Sequence, residues 1–242
     1  MKLETRSNDV QKHGEMKSSI VGIAADGGAT MIGRFLRDKL YTYKIRAIVR
    51  EYCTNAIDEH IVCGKPDLPI KIVMPDAFES NLKIQDLGRG LCDYDVRNIF
   101  GMLAASTKRN SNALNGAMGL GSKAGWAYND FWQLTSVHDG VRTEYSMFLN
   151  ENDESEISEL LSVTDTVSPS GCTITIPIAK EDIPELRREV AELAHDFSTP
   201  PTIVGMSEPL VKKEVAHTLN VDGIEVLLMR QSKYNRIVNV LM

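Results

Sequence analysis

The chain lacks most features that would assign it to a special class. Its four cysteines, Cys53, Cys63, Cys92 and Cys172, form no CxxC pair, and no histidine sits at zinc-finger spacing from them. That argues against a zinc module and a disulfide framework, and the thiols read as buried or incidental groups in a reducing compartment. No apolar run of about 18 residues occurs, which excludes a transmembrane helix. The opening MKLETRSNDVQKHGEMKSS has no apolar centre of the kind a signal peptide needs, so a cytoplasmic location is expected, with peripheral membrane association left open. There is no long basic block, and the net charge is −6 with a pI of about 5.5. Direct nonspecific DNA binding by this domain is therefore not expected. No internal repeat is present.

What remains is globular. The 242 residues suit one large domain or two small ones, and 43% hydrophobic with 25% charged residues can build a core without staples. Residues 1–19 are polar and read as an arm or an edge segment. Apolar Ile45, Ile48, Val49, Tyr52, Cys53 and Ala56 recur at helical spacing and predict a helix over residues 42–62, ended by Gly64 and Pro66. PIKIVMP and NLKIQDLG read as strands joined by a loop at residues 76–80. CDYDVRNIFGML reads as a short amphipathic helix with Asp93 at its N-cap. Residues 104–125, AASTKRNSNALNGAMGLGSKAG, form a stretch too long for a simple connection, and such loops are usually functional or disordered. DFWQLTSVHDGVRTEYSMFL is a hairpin about Asp139-Gly140. NENDESEISE reads as acidic surface, CTITIPIA as a strand, KEDIPELRREVAELAHDF as an amphipathic helix and LNVDGIEVLLM as late strands. This order favours an α+β fold with a mixed β-sheet over regular βαβ alternation. The expected divisions are an N-terminal arm at 1–30, the main domain at 31–200 and a C-terminal strand extension at 201–242.

Three boxes stand out. Glu51, Asn55 and Asp58 fall on one face of the predicted helix, at the edge of its apolar stripe, where a cleft could open. DLGRG, residues 86–90, follows a predicted strand. GAMGLGSK, residues 116–123, closes the long loop just before a helical patch. Each has a bland explanation: chance polarity on a helix, an ordinary glycine turn, or a weak phosphate signal. Their order and placement on a helix, a strand end and a loop-to-helix junction make coincidence much less attractive.

Together the boxes resemble the GHKL ATPases: gyrase, the heat-shock chaperones of that group, histidine kinases and MutL. The resemblance covers roughly residues 40–180. It implies the Bergerat fold, a two-layer α/β sandwich with a mixed β-sheet, and a site for ATP and Mg²⁺. Box by box, it implies that Glu51 polarises the attacking water and that Asn55 ligates Mg²⁺, while Asp58 orders the same face. Asp86 would accept the adenine amino proton, and Gly88 and Gly90 would let the chain pass under the base. Gly116, Gly119 and Gly121, with Ser122, would form a lid meeting phosphate oxygens. Lys123 and, more weakly, Lys108 of the STK segment would neutralise phosphate charge. LYTYKIRAIVREYCTNAIDEH, DLGRG and GAMGLGSKAGWAYNDFWQLTS are most similar to the N-terminal ATPase region of phage rIIA-like lysis-control proteins. That likeness implies a phage protein acting in the host cytoplasm, with an rIIB-like or host protein partner and a nucleotide-dependent homodimer.

The chain departs from the family pattern twice. The usual late Gly-Thr pair is replaced by SGCTITIP, so Thr173 is the expected hydroxyl on the adenine side. No residue clearly supplies the lysine that gyrase-type relatives take from a following domain; Lys233 and Arg230 are the available cations. Two alternatives use the same fold: a GHKL-type serine/threonine protein kinase, and a non-hydrolysing ATP-dependent module that inhibits a host process. No phospho-acceptor histidine helix is visible, and His13, His60, His138, His195 and His217 read as ordinary histidines.

Overall fold

The computed structural model describes residues 18–20, 22–23, 42–100, 102–103, 121–151, 155–194, 196–206, 214–221, 224–230 and 240–241. The strands are β1 (Ser18–Ile20), β2 (Gly22–Ile23), β3 (Lys71–Val73), β4 (Asn81–Gln85), β5 (Met102–Leu103), β6 (Phe131–His138), β7 (Val141–Leu149), β8 (Ser155–Thr164), β9 (Gly171–Pro177), β10 (Thr202–Val204), β11 (Glu214–Val221), β12 (Ile224–Arg230) and β13 (Val240–Leu241). The helices are α1 (Lys44–Val62), α2 (Ala124–Tyr128) and α3 (Ile183–Leu193).

Eight strands form one sheet in the order β1-β8-β7-β6-β9-β4-β3-β10. It is mixed because β10 runs parallel to β3, while the other pairings are antiparallel. This is the expected α+β sandwich. β1 and β10 are its two edges, so the main sheet reaches past residues 31–200 on both sides. β11, β12 and β13 form a separate three-stranded sheet, and β2 pairs with β5.

Alternation along the strands fixes which face is covered. Leu82, Ile84, Trp132, Leu134, Ile174 and Ile176 are buried, while Lys83, Gln133, Thr135, Thr173 and Thr175 are only half-buried on the opposite face. The apolar stripe of α1 lies over the covered face: Ile48, Val49 and Cys53 are fully buried, with Ile45, Tyr52 and Ala56 nearly so. Leu186, Val190 and Leu193 bring α3 into the same core. The β6–β7 hairpin turns at Asp139 (φ 48°) and Gly140 (φ 72°), the paired positive φ of a type I′ turn, as Asp-Gly predicts.

Two sequence expectations need correction. Cys92, not Asp93, holds the N-cap position of the short turn Asp93–Asp95, which continues as a π-helical turn at Val96–Phe100. Asp93 instead takes the Arg97 Nε–H on both carboxylate oxygens at 3.0 Å. The acidic stretch is not all surface either. Ser155, Glu156, Ile157 and Ser158 are buried, because β8 is an interior strand flanked by β1 and β7. All four cysteines are free thiols. Among the described residues, no helix is long and apolar enough to cross a membrane.

Candidate functional site

A cleft of about 130 Å³ opens between α1 and the covered face of the sheet. Its floor is two cross-strand rows. Ile84, Ile174 and Leu134 are register partners on β4, β9 and β6, and Cys172 pairs with Ser136 one step along. Asp86 extends the second row, donating its backbone N–H to the Cys172 carbonyl at 3.0 Å. Tyr52, Asn55, Ala56 and Glu59 of α1 form one wall, and Arg89, Gly90, Leu91 and Ser122 complete the rim.

Asp86 is the best-defined polar group in this cleft, at 8% exposure. Its Oδ1 accepts the backbone N–H groups of Gly88 at 2.8 Å and Cys172 at 3.2 Å. Its Oδ2 accepts no hydrogen bond from the described residues. Burial pushes the carboxyl pKa up, and the two N–H groups partly offset that. The turn carrying Asp86 is clamped from below. The Leu87 N–H donates to His60 Nε2 at 2.8 Å, so His60 Nδ1 carries the hydrogen that it gives to the Leu68 carbonyl, also at 2.8 Å. Lys65 Nζ donates to the Leu87 carbonyl at 3.0 Å. Ser136 Oγ both accepts the Leu91 N–H (2.7 Å) and donates to the Leu91 carbonyl (2.8 Å). Gly90 sits at φ +74°, and a Cβ there would overlap the Val137 carbonyl oxygen. Only glycine suits both constraints.

The other end of the cleft is built where α1 meets the turn Gly121–Lys123. Glu51 is half-buried, and its carboxylate packs so closely on Gly121 that a Cβ there would overlap it. Burial raises the Glu51 pKa against the pull of neighbouring Arg50. Lys123 is fully buried, its Nζ donates to Ser122 Oγ at 3.0 Å, and burial pushes its pKa down to about 7.

A family model described as histidine kinase-, DNA gyrase B- and HSP90-like ATPase matches residues 43–172, more than half the chain. The chain belongs to this ATPase family. No curated protein matches it.

The match covers every residue lining the cleft except Ile174, from Tyr52 of α1 to Cys172. Of the residues singled out in the sequence, Asn55, Asp86, Gly90 and Ser122 line the cleft, and Glu51, Gly121 and Lys123 gather at its α1–α2 end. Gly88 is buried beneath Asp86, against the Glu59 side chain. Two expected residues stand elsewhere. Asp58 is completely buried and does not line the cleft. Thr173 pairs with Gln85 and Thr135 on the opposite face of the sheet, and strand alternation gives the inward position to Cys172 instead. Lys108, Gly116 and Gly119 lie outside the described residues, as does Lys233; Arg230 closes β12.

Tyr52, Glu59, Arg89 and Cys172 also line the cleft, beyond the residues to which the three boxes assign a role. Arg89 Nε is 3.1 Å from Glu59 Oε1 at the cleft rim, and the Arg89 N–H also reaches that oxygen at 3.4 Å. Glu59 lies one helical turn beyond Asn55, within reach of the same helical-face reasoning, and Arg89 sits inside the DLGRG box.

Proposed function

We propose that this protein is an ATP-driven conformational switch that binds ATP with Mg²⁺ in the cleft under α1 and hydrolyses it to ADP and phosphate. The observation that carries the reading is Asp86. A buried carboxylate with one oxygen fixed by two backbone N–H groups and the other uncommitted, above an apolar floor, is an acceptor waiting for a donor. An exocyclic amino group on a flat base supplies that donor. Ile84, Ile174 and Leu134 supply the apolar surface for the ring.

With the base at Asp86, the phosphates would extend toward Asn55, Ser122 and the Gly121 turn. The backbone there approaches closely because glycine carries no side chain, and Lys123 lies directly behind. Asn55 would hold Mg²⁺ through its amide oxygen, a hard donor that suits this ion beside phosphates and water. The metal would neutralise phosphate charge. No group of three carboxylate, histidine or cysteine side chains able to cage a metal occurs among the described residues, which fits an ion held largely by its nucleotide. Glu51, held close to the lid turn with its pKa raised by burial, suits the general base that orients water at the terminal phosphate. Lid closure over ATP would expose or complete a surface for a second copy or a protein partner. The three boxes are similar to the ATPase region of rIIA-like phage proteins, and we place the protein in that role, with an rIIB-like or host protein as its partner.

Calorimetry with ATP and Mg²⁺ tests the binding step. Phosphate release, with labelled ATP and a candidate partner present, tests the chemistry. Label should reach water. Label on protein would instead favour a kinase, and binding without turnover would leave an ATP-dependent binding module.

A further inference from the structure

We propose that Tyr52 is a positioning residue for the phosphate end of the site, and that its hydroxyl sets the lid turn against α1. This rests on the ATP-site reading above. The Tyr52 hydroxyl donates to the Ser122 carbonyl at 3.2 Å and accepts the Gly125 N–H at 2.8 Å. One side chain on α1 thus ties the turn that carries Lys123, through Ser122, to the start of α2, through Gly125. The Gly125 amide lies in the first turn of α2, where backbone N–H groups have no partner within the helix, and α2 has no side-chain cap of its own. Tyr52 fills that role from 73 residues away. Its own position is rigid. The ring is 3% exposed and packs on Trp132 at 5.6 Å between centroids, and Trp132 packs on Trp126 at 5.2 Å. Gly125 completes this packing, because a Cβ there would collide with the Trp132 indole.

Tyr52 also lines the cleft and directly follows Glu51, whose carboxylate rests on Gly121. The same helical turn therefore presents the proposed base and fixes the proposed phosphate backbone. The hydroxyl defines the separation between them. Its loss should leave base binding intact and disturb only what depends on the terminal phosphate.

The test is Tyr52→Phe, which keeps the ring and removes the two hydrogen bonds. Affinities for ADP and for a non-hydrolysable ATP analogue are measured by calorimetry, alongside kcat and KM for ATP. The only two tryptophans of the chain, Trp126 and Trp132, report by intrinsic fluorescence whether the aromatic cluster is intact. The expected result is unchanged emission, ADP affinity within about threefold of the parent, analogue affinity down at least tenfold and kcat down at least tenfold. Parent-like values for the analogue and kcat would overturn the proposal, and so would equal losses for ADP and the analogue, which would make Tyr52 a plain wall. A parent protein that binds neither nucleotide would instead overturn the ATP-site reading itself. Should the variant not fold, hydrogen exchange on the parent decides: the Gly125 amide should gain more protection with the analogue than with ADP, and equal protection contradicts the role.

Discussion

Replacing Asp86 by Asn changes one atom and should separate nucleotide binding from folding. The fold asks Asp86 for a single oxygen, which takes the Gly88 and Cys172 N–H groups at 2.8 and 3.2 Å. An Asn amide can meet that demand only with its own oxygen toward those two donors. Its NH₂ must then occupy the Oδ2 position and face the cleft. A base amino group arriving there meets a donor instead of an acceptor. Losing a hydrogen bond to a charged acceptor costs about 1.5–3 kcal/mol, which is roughly tenfold to a hundredfold in affinity, and the opposed donors push toward the upper end. The apo protein should keep its unfolding free energy in urea to within about 0.5 kcal/mol, since both structural hydrogen bonds survive. Calorimetry with ATP and Mg²⁺, paired with urea unfolding of the same preparations, reads both quantities. Unchanged ATP affinity in a folded variant would refute the assignment of Asp86 to the base.

Four further outcomes follow from the same geometry. Glu51→Ala should keep ATP binding, lose hydrolysis by roughly a hundredfold or more if general-base catalysis is its role, and trap any ATP-closed dimer; steady-state turnover and sedimentation check this. Asn55→Ala should lose the Mg²⁺-dependent part of ATP binding, seen as titrations with and without Mg²⁺ that converge. Gly90→Ala should destabilise the protein by at least about 1–2 kcal/mol, since its backbone lies at φ +74° and the new Cβ meets the Val137 carbonyl; denaturant unfolding measures it. Lys123 is held at about 7 against its ordinary 10.5, so between those values the unfolded chain binds the extra proton and stability rises with pH. Lys123→Met should therefore exceed the parent in stability by most at or below pH 7, and that advantage should shrink by about 2–3 kcal/mol by pH 9, whereas a pH-independent difference would contradict the buried-charge explanation.

The parts of the fold that were legible in the sequence are those where local pattern and burial agree. The α1 stripe from Ile45 to Ala56 is apolar at helical spacing and packs as its spacing requires. The Asp139-Gly140 turn needs two positive φ values, and that residue pair supplies them. β8 was hidden because Ser155, Glu156 and Ser158 are polar, and only pairing with β1 and β7 on either side buries them. The site divides the same way. Asn55 and Asp86 line the cleft and Glu51 sits at its end, as residue types at fixed spacing suggest, whereas Asp58 is fully buried, because a helical-face argument cannot say which edge of the polar face is covered. Thr173 is placed by parity: Ile174 and Ile176 alternate with Thr173 and Thr175 along β9, which puts Thr173 on the face opposite the Ile84–Ile174–Leu134 row. Tyr52 reads as core in the sequence because its ring is core. Its hydroxyl matters through Ser122 and Gly125, about 70 residues downstream, a relation that no local pattern encodes.

The most direct test of the ATP site is a crystal structure with Mg²⁺ and a non-hydrolysable ATP analogue. The expected result is the base on the Ile84–Ile174–Leu134 floor with its amino group on Asp86 Oδ2, and the phosphates between Asn55 and the Gly121 turn. A saturated crystal with this cleft empty, or with the base bound away from Asp86, would contradict it.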